Sequence, residues 1–148
     1  MKQIISQKTQ AGIMLLEAMI AILIFSFGIL AIVGLQARAM QDMGQAKYRS
    51  DAAFLANQLI ADIWTNAKNV TSYQWSGTGG VPAPLANWVA RIDATLPGAS
   101  TNRPTVAYDA ATKQVTITVK WMTPAEHSAN TSAPPHNFQA VTYINTNS

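Results

Sequence analysis

The pattern of apolar and polar positions divides this chain into stretches of different kinds. From Ile13 to Leu35 the residues are almost wholly apolar for 23 positions, and residues 18–35 carry no charged side chain. At about 1.5 Å per residue a helix of that length covers about 35 Å, enough to cross the hydrocarbon core of a bilayer. One carboxylate, Glu17, stands inside the run. An unpaired charge near that depth costs about 2.5–3.5 kcal/mol on insertion scales, and somewhat less toward a helix end. Glu17 must therefore either reach the membrane edge or meet an opposite charge.

The helical pattern continues past the apolar run. The stretch "GLQARAMQDMGQAKYRSDAAFLANQLIADIWTN" contains no proline, and good helix formers dominate it. In its second half Tyr48, Ala52, Leu55, Leu59 and Ile63 recur at spacings of four, three, four and four, which stacks them on one helix face. Arg49, Asp51, Asn57 and Asp62 project elsewhere. This predicts one helix from about Ile13 to about Asn66, roughly 80 Å long at that rise. Its first half is apolar all round and its second half along a single stripe. A secretory signal peptide has a shorter apolar core, then a small-residue cleavage site and a polar mature domain. Gly28, Gly34 and Gly44 punctuate the helix, each costing about 1 kcal/mol of propensity against alanine and allowing local flexibility or close helix packing.

Beyond the helix, "NVTSYQWSGTGGVPAP" reads as a break, with Gly77, Gly79, Gly80, Pro82 and Pro84. "PLANWVARIDATLPG" predicts a short helix with Leu85, Trp88, Val89, Ile92 and Leu96 on one stripe, stopped by Pro97 and Gly98. The period then becomes two: Val115, Ile117, Val119 and Trp121 alternate with Thr116, Thr118 and Lys120, as in a half-buried strand. "TVAYDA" is its expected hairpin partner through a turn near Asp109–Thr112, and "FQAVTYI" a third strand. "MTPAEHSANTSAPPHN" is expected to be an exposed loop. A sheet with one apolar face and a helix with one apolar stripe each need a cover, so the two should pack together. The expected fold is α+β: a long N-terminal helix, half transmembrane and half amphipathic, on a small antiparallel sheet.

Composition bounds the function. With 148 residues there is room for at most one compact domain besides the apolar run. The formal charge is +3, from ten cations and seven acids, but two of the cations, Lys2 and Lys8, precede the apolar run. Without them the chain is nearly neutral, and no Lys/Arg cluster suggests nucleic-acid binding, which needs concentrated cations to displace counterions. With no cysteine there is no disulfide framework, thiol nucleophile or Cys-based metal site. Short basic flanks stay cytoplasmic, so Lys2 and Lys8 place the bulk of the chain across the membrane, against the weaker pull of Arg38, Lys47 and Arg49.

No catalytic constellation is legible. His127 and His136 lie nine apart with Glu126 beside the first, whereas a metal site wants three or four convergent ligands. "SGTGG" leads into no lysine-bearing helix, so it is a turn and not a phosphate loop. Trp88 and Trp121 sit on apolar faces and are expected in the core. The pattern leaves Trp64 and Trp75 open. No catalytic, cofactor-binding or metal-binding residue is expected, and no cofactor.

The opening residues carry a resemblance. A short basic leader ending in Gly12, an apolar residue, then Glu17 five positions past the glycine, then an unbroken hydrophobic run ("GIMLLEAMIAILIF") resembles the N-terminal signal of the type IV pilin superfamily. The resemblance implies cleavage by a prepilin peptidase between Gly12 and Ile13, removing a leader of residues 1–12, and methylation of the new N-terminus at Ile13. Phenylalanine is usual there, and Ile13 departs from that pattern. It also implies that Glu17 pairs with the N-terminal amine of a neighbouring subunit and sets the axial register. Residues 13–35 would be the transmembrane and polymerisation half, and 36–148 the globular head, including the amphipathic helix 36–66. Family members often carry proline where Gly34 stands.

"GILAIVGLQARAM", "AAFLANQLIADIWTN", "WVARIDATLPGA" and "VTITVKW" narrow the resemblance to the minor pilins, strongly over residues 8–66 and loosely beyond. A minor pilin is a non-enzymatic structural subunit of pilus assembly, with other minor pilins, the major pilin, the prepilin peptidase and the inner-membrane assembly platform as partners. It is anchored in the inner membrane with a periplasmic head, then reaches the pilus or cell surface. The nearest rival is a pseudopilin of a type II secretion system, some of which bind calcium through clustered carboxylates; Asp93, Asp109 and Glu126 are scattered. A rival of another class is a signal-anchored periplasmic binding domain that never polymerises.

Overall fold

The computed structural model describes residues 11–130 and 132–145. Lys2 and Lys8, and with them the basic part of the expected leader, lie outside the described residues. The first element, α1, is a single helix of 55 residues, Ala11–Thr65. It runs without interruption through Gly28, Gly34 and Gly44, and the space a methyl group would enter at each is open. The chain forms two compact units, one ending at Met43 and the other beginning at Gly44.

The first unit is the apolar part of α1. Residues 12–43 are all exposed, including every large apolar side chain from Ile13 to Leu35.

The second unit begins with the amphipathic part of α1. Two short 3-10 turns follow, Ala67–Tyr73 and Ala83–Leu85, the second leading into α2, Ala86–Thr95. Then come β1 (Thr105–Asp109), β2 (Gln114–Trp121), α3 (Pro124–Ala129) and β3 (His136–Tyr143). The strands form an antiparallel sheet in the order β1-β2-β3. Its register sets Val106 opposite Ile117 and Ala140 opposite Ile117 from the other side. The fold is thus α+β, a long N-terminal helix packed on a small three-stranded antiparallel sheet.

The core is built from faces that sequence spacing had aligned. Ala52, Leu55, Ala56, Leu59 and Ile63 of α1 are buried against Trp88, Val89 and Ile92 of α2 and against Val106, Val115, Ile117, Val119 and Trp121 of the sheet. Strand β2 alternates between buried and half-buried residues along its whole length. Each fully buried Leu, Ile or Val contributes about 1.5–3 kcal/mol relative to exposure, so this interface supplies most of the driving force for the unit. Ile144, just past β3, is also buried, and its N–H donates to the Lys113 carbonyl at 2.9 Å.

Two segments differ from their expected form. The stretch after α1 is not wholly irregular: its 3-10 turn buries Val70 and Tyr73. Trp75 is buried as well, and exchanges both backbone hydrogen bonds with Val106, at 2.9 and 2.8 Å. Trp75 thereby bridges the outer edge of β1 at Val106. The stretch expected as an exposed loop after β2 contains α3, whose start is held by a capping box. The Thr123 side chain accepts from the Glu126 N–H, while the Glu126 carboxylate accepts from the Thr123 N–H at 2.8 Å. Pro124 occupies the first turn, where its missing N–H is harmless.

α2 ends where the pattern predicted. Leu96 turns extended, and Gly98 adopts φ +66° directly against the Met122 carbonyl, which only a residue without a Cβ can approach this closely.

Candidate functional site

The residues singled out by sequence all lie on the first unit. Gly12 and Ile13 are in the first turn of α1, and Glu17 follows one turn later. Glu17 is exposed, with no hydrogen bond or ion pair to any other described residue. Its neighbours on the helix surface, Ile13, Met14, Ile20 and Ala21, are apolar and exposed too. The only polar group further into the run is Ser26, which satisfies itself by donating to the Ile22 carbonyl at 2.7 Å. Such intrahelical bonding is how a hydroxyl is accommodated where no water is available.

This surface would be unstable facing water. Apolar area left in water costs about 25 cal/mol per Å², and exposed apolar patches beyond a few hundred Å² mark interaction sites. The helix is long and apolar enough to cross a membrane, with an 18-residue window of mean hydropathy 2.7 and none of that window buried within the chain. Lipid tails or other apolar helices are the covers its chemistry accepts. Within such a cover, Glu17 is the one carboxylate, and it must either reach the membrane edge or meet a cation at the same depth.

The second unit holds a polar cluster that sequence reasoning missed. The Glu126 carboxylate accepts from the Gln45 side-chain amide of α1, from both the N–H and the hydroxyl of Thr123, and pairs with His136 Nε2 at 2.8 Å. Gln45 in turn accepts from the Trp121 indole N–H at 3.1 Å. The Trp121 and His136 rings, opposite each other across β2 and β3, stack with centroids 5.9 Å apart. Partial burial pushes the Glu126 carboxyl up. The hydrogen bonds from Thr123 and His136, with the His136 charge, outweigh that and hold it below the ordinary glutamate range.

The histidine facing Glu126 is His136, ten residues away, and not its neighbour His127, which is exposed. The signal that could have found part of this was the Thr-x-x-Glu spacing of residues 123–126. Nothing in the sequence foretold Gln45 or His136. Among the described residues, no three His, Asp or Glu side chains converge as metal ligands would.

The tryptophans divide as their surroundings dictate. Trp88 and Trp121 are in the core, as expected, and Trp75 joins them. Trp64 is 59% exposed and its indole N–H donates to the Thr142 hydroxyl at 3.2 Å.

No family model, no curated protein and no solved structure matches this chain.

Proposed function

We propose that this chain is a minor pilin, similar to those called PilV: a non-enzymatic, low-copy subunit that takes part in initiating and assembling type IV pili, and so in twitching motility or adhesion. The observation that carries the reading is the exposed apolar face of α1 with its lone carboxylate, Glu17, five positions past Gly12. A helical segment that is apolar all round and buries nothing within its own chain, as residues 13–35 do, suits an anchor in lipid and a bundling surface among like helices. Cleavage after Gly12 creates a free amine at Ile13, a cation of the right depth for Glu17 of a neighbouring subunit. A buried pair of that kind is short-ranged and penalises any other stagger, because either charge left alone in hydrocarbon is costly.

In this reading the head faces the periplasm until the subunit enters the pilus. The partners are other minor pilins, the major pilin, the prepilin peptidase and the inner-membrane assembly platform. Mass spectrometry of the N-terminus from native membranes tests the proposal. A chain beginning at methylated Ile13 supports it. An intact leader in cells that contain the peptidase refutes it, as does equal migration of the wild type and Gly12→Ala on an immunoblot with both uncut.

A further inference from the structure

The buried stripe of α1 uses Ala52, Leu55, Leu59 and Ile63, and Phe54 falls outside it. Phenylalanine is among the side chains most often found buried, yet Phe54 is 68% exposed, more than any other large apolar residue described in the second unit. It stands at a groove of about 490 Å³ between α1 and α2. Asp51, Phe54 and Leu55 line the groove from α1, and Arg91, Ala94 and Thr95 line it from α2.

Both triplets have the spacing i, i+3, i+4, so each wall is a single helix face. The two walls carry opposite features. The α1 wall has an acid followed one turn later by a bulky aromatic ring. The α2 wall has a base followed one turn later by two small side chains. Neither charge is in use: Asp51 and Arg91 form no hydrogen bond or ion pair with any described residue, although they line the same groove. Asp93, the other charged residue of α2, is held by Arg103 at 2.7 Å and does not compete for Arg91.

A face that carries both a feature and its complement can pair with itself about a two-fold axis. We infer that this groove is a docking surface for a second copy of the chain, each copy laying its α1 wall on the α2 wall of the other. An axis midway between the walls sets Asp51 of each copy against Arg91 of the other, and Phe54 against the small Ala94 and Thr95. Exposed ion pairs are weak, so the charges choose the partner and its register. Phe54 supplies the affinity, as an aromatic anchor leaving water. The pairing belongs to the second unit alone and goes beyond the pilin reading, since neither the apolar run nor any pilus component enters it.

Sedimentation of the full chain in detergent micelles, over a range of concentrations, tests this. The wild type should form dimers. Phe54→Ser, Asp51→Arg and Arg91→Asp should each weaken dimerisation by about tenfold or more. None of the three sites is buried, so thermal unfolding should be that of the wild type. The decisive sample is an equimolar mixture of Asp51→Arg with Arg91→Asp. Either variant alone sets like charges together at both contacts, whereas the mixed pair sets opposite charges at both, so dimers should return. Asp62 is an exposed acid of α1 that does not line the groove. Asp62→Arg should dimerise as the wild type does, and mixed with Arg91→Asp it should restore nothing. A wild type that stays monomeric overturns the proposal and leaves the groove to a partner of another sequence. Dimers indifferent to all the substitutions overturn it too, because the apolar part of α1 then accounts for them. Equal recovery with Asp62→Arg also overturns it, since net charge and not the groove would then be the cause.

Discussion

The indole N–H of Trp88 donates to the backbone carbonyl of Leu55 at 2.8 Å in the buried interior, pinning α2 to α1. That carbonyl lies inside a helix and already has an i+4 N–H within reach. Trp88→Phe should therefore cost little more than the net worth of one hydrogen bond plus some packing, about 1–2 kcal/mol. Trp88→Ala should cost about 3–5 kcal/mol, because it leaves a cavity between the two helices. Denaturant unfolding of the full chain in detergent, followed by the remaining tryptophans, measures both. Equal losses would show that the hydrogen bond and not the ring volume holds the helices.

Gly98 and Gly79 separate two effects that are usually confounded. Both have positive φ, +66° and +75°. A Cβ on Gly79 would meet open space, whereas one on Gly98 would overlap the Met122 carbonyl oxygen. Gly79→Ala should destabilise by the conformational cost alone, about 1–2 kcal/mol. Gly98→Ala should lose clearly more, since backbone must move as well, and the hydrogen bond from Met122 N–H to the Pro97 carbonyl should open. Thermal unfolding of the two variants side by side gives the comparison.

Glu126 makes the anchoring of α3 pH-dependent. Its carboxyl is held below the ordinary glutamate range in the folded chain, so the folded state prefers the charged form. The stabilisation is therefore fully present above the ordinary glutamate pKa and is lost as pH falls through the lowered folded value. Glu126→Gln should remove this dependence and lower stability near neutral pH by about 1 kcal/mol or less, the scale of a lost cap on a half-exposed site. Stability measured for both chains from neutral pH to about pH 3 should converge at the acid end. A gap that persists there would show that charge is not the cause.

Glu17 should behave oppositely in insertion and in assembly. Replacing it by leucine removes the one charge of the run, so insertion of the isolated helix into a bilayer should improve by up to about 3 kcal/mol. If the chain is a minor pilin as proposed, recruitment into pili should fall, because the amine that cleavage would expose at Ile13 of a neighbour would lose its counter-charge. A translocon-insertion assay and immunoblots of sheared pili measure the two effects. Leucine at position 17 with unimpaired recruitment would count against the register role.

Periodicity carried the regular elements and little else. The long helix, expected from about Ile13 to about Asn66, spans Ala11–Thr65, and the strand around Val115–Trp121 lies within a residue of its expected bounds. These segments were legible because one face of each is buried against the other, and burial writes a period of 3.6 or 2 into the chain. The 3-10 turn holding Val70 and Tyr73 was not legible, since three residues per turn over seven positions leaves no stripe to read. Trp75 was ambiguous for the same reason: a single bridge to Val106 has no periodicity. α3 was signalled by its capping spacing and missed because no apolar face accompanies it. Of the candidate site, Gly12, Ile13 and Glu17 were singled out by their resemblance to the pilin signal, and the structure shows them exposed on the first turns of α1. The Gln45–Glu126–His136 cluster joins residues as much as 91 positions apart through tertiary packing that no local pattern encodes.

The order in which the core is made has a consequence for biogenesis. Synthesis delivers the α1 stripe of Ala52, Leu55, Leu59 and Ile63 first, and the strands that cover it, ending with β3 and Ile144, only after more than forty further residues. Throughout that interval the stripe is wet and sticky, beside an even more apolar run. Stalling between Ile63 and β2 should therefore be the most aggregation-prone moment in the synthesis of this chain.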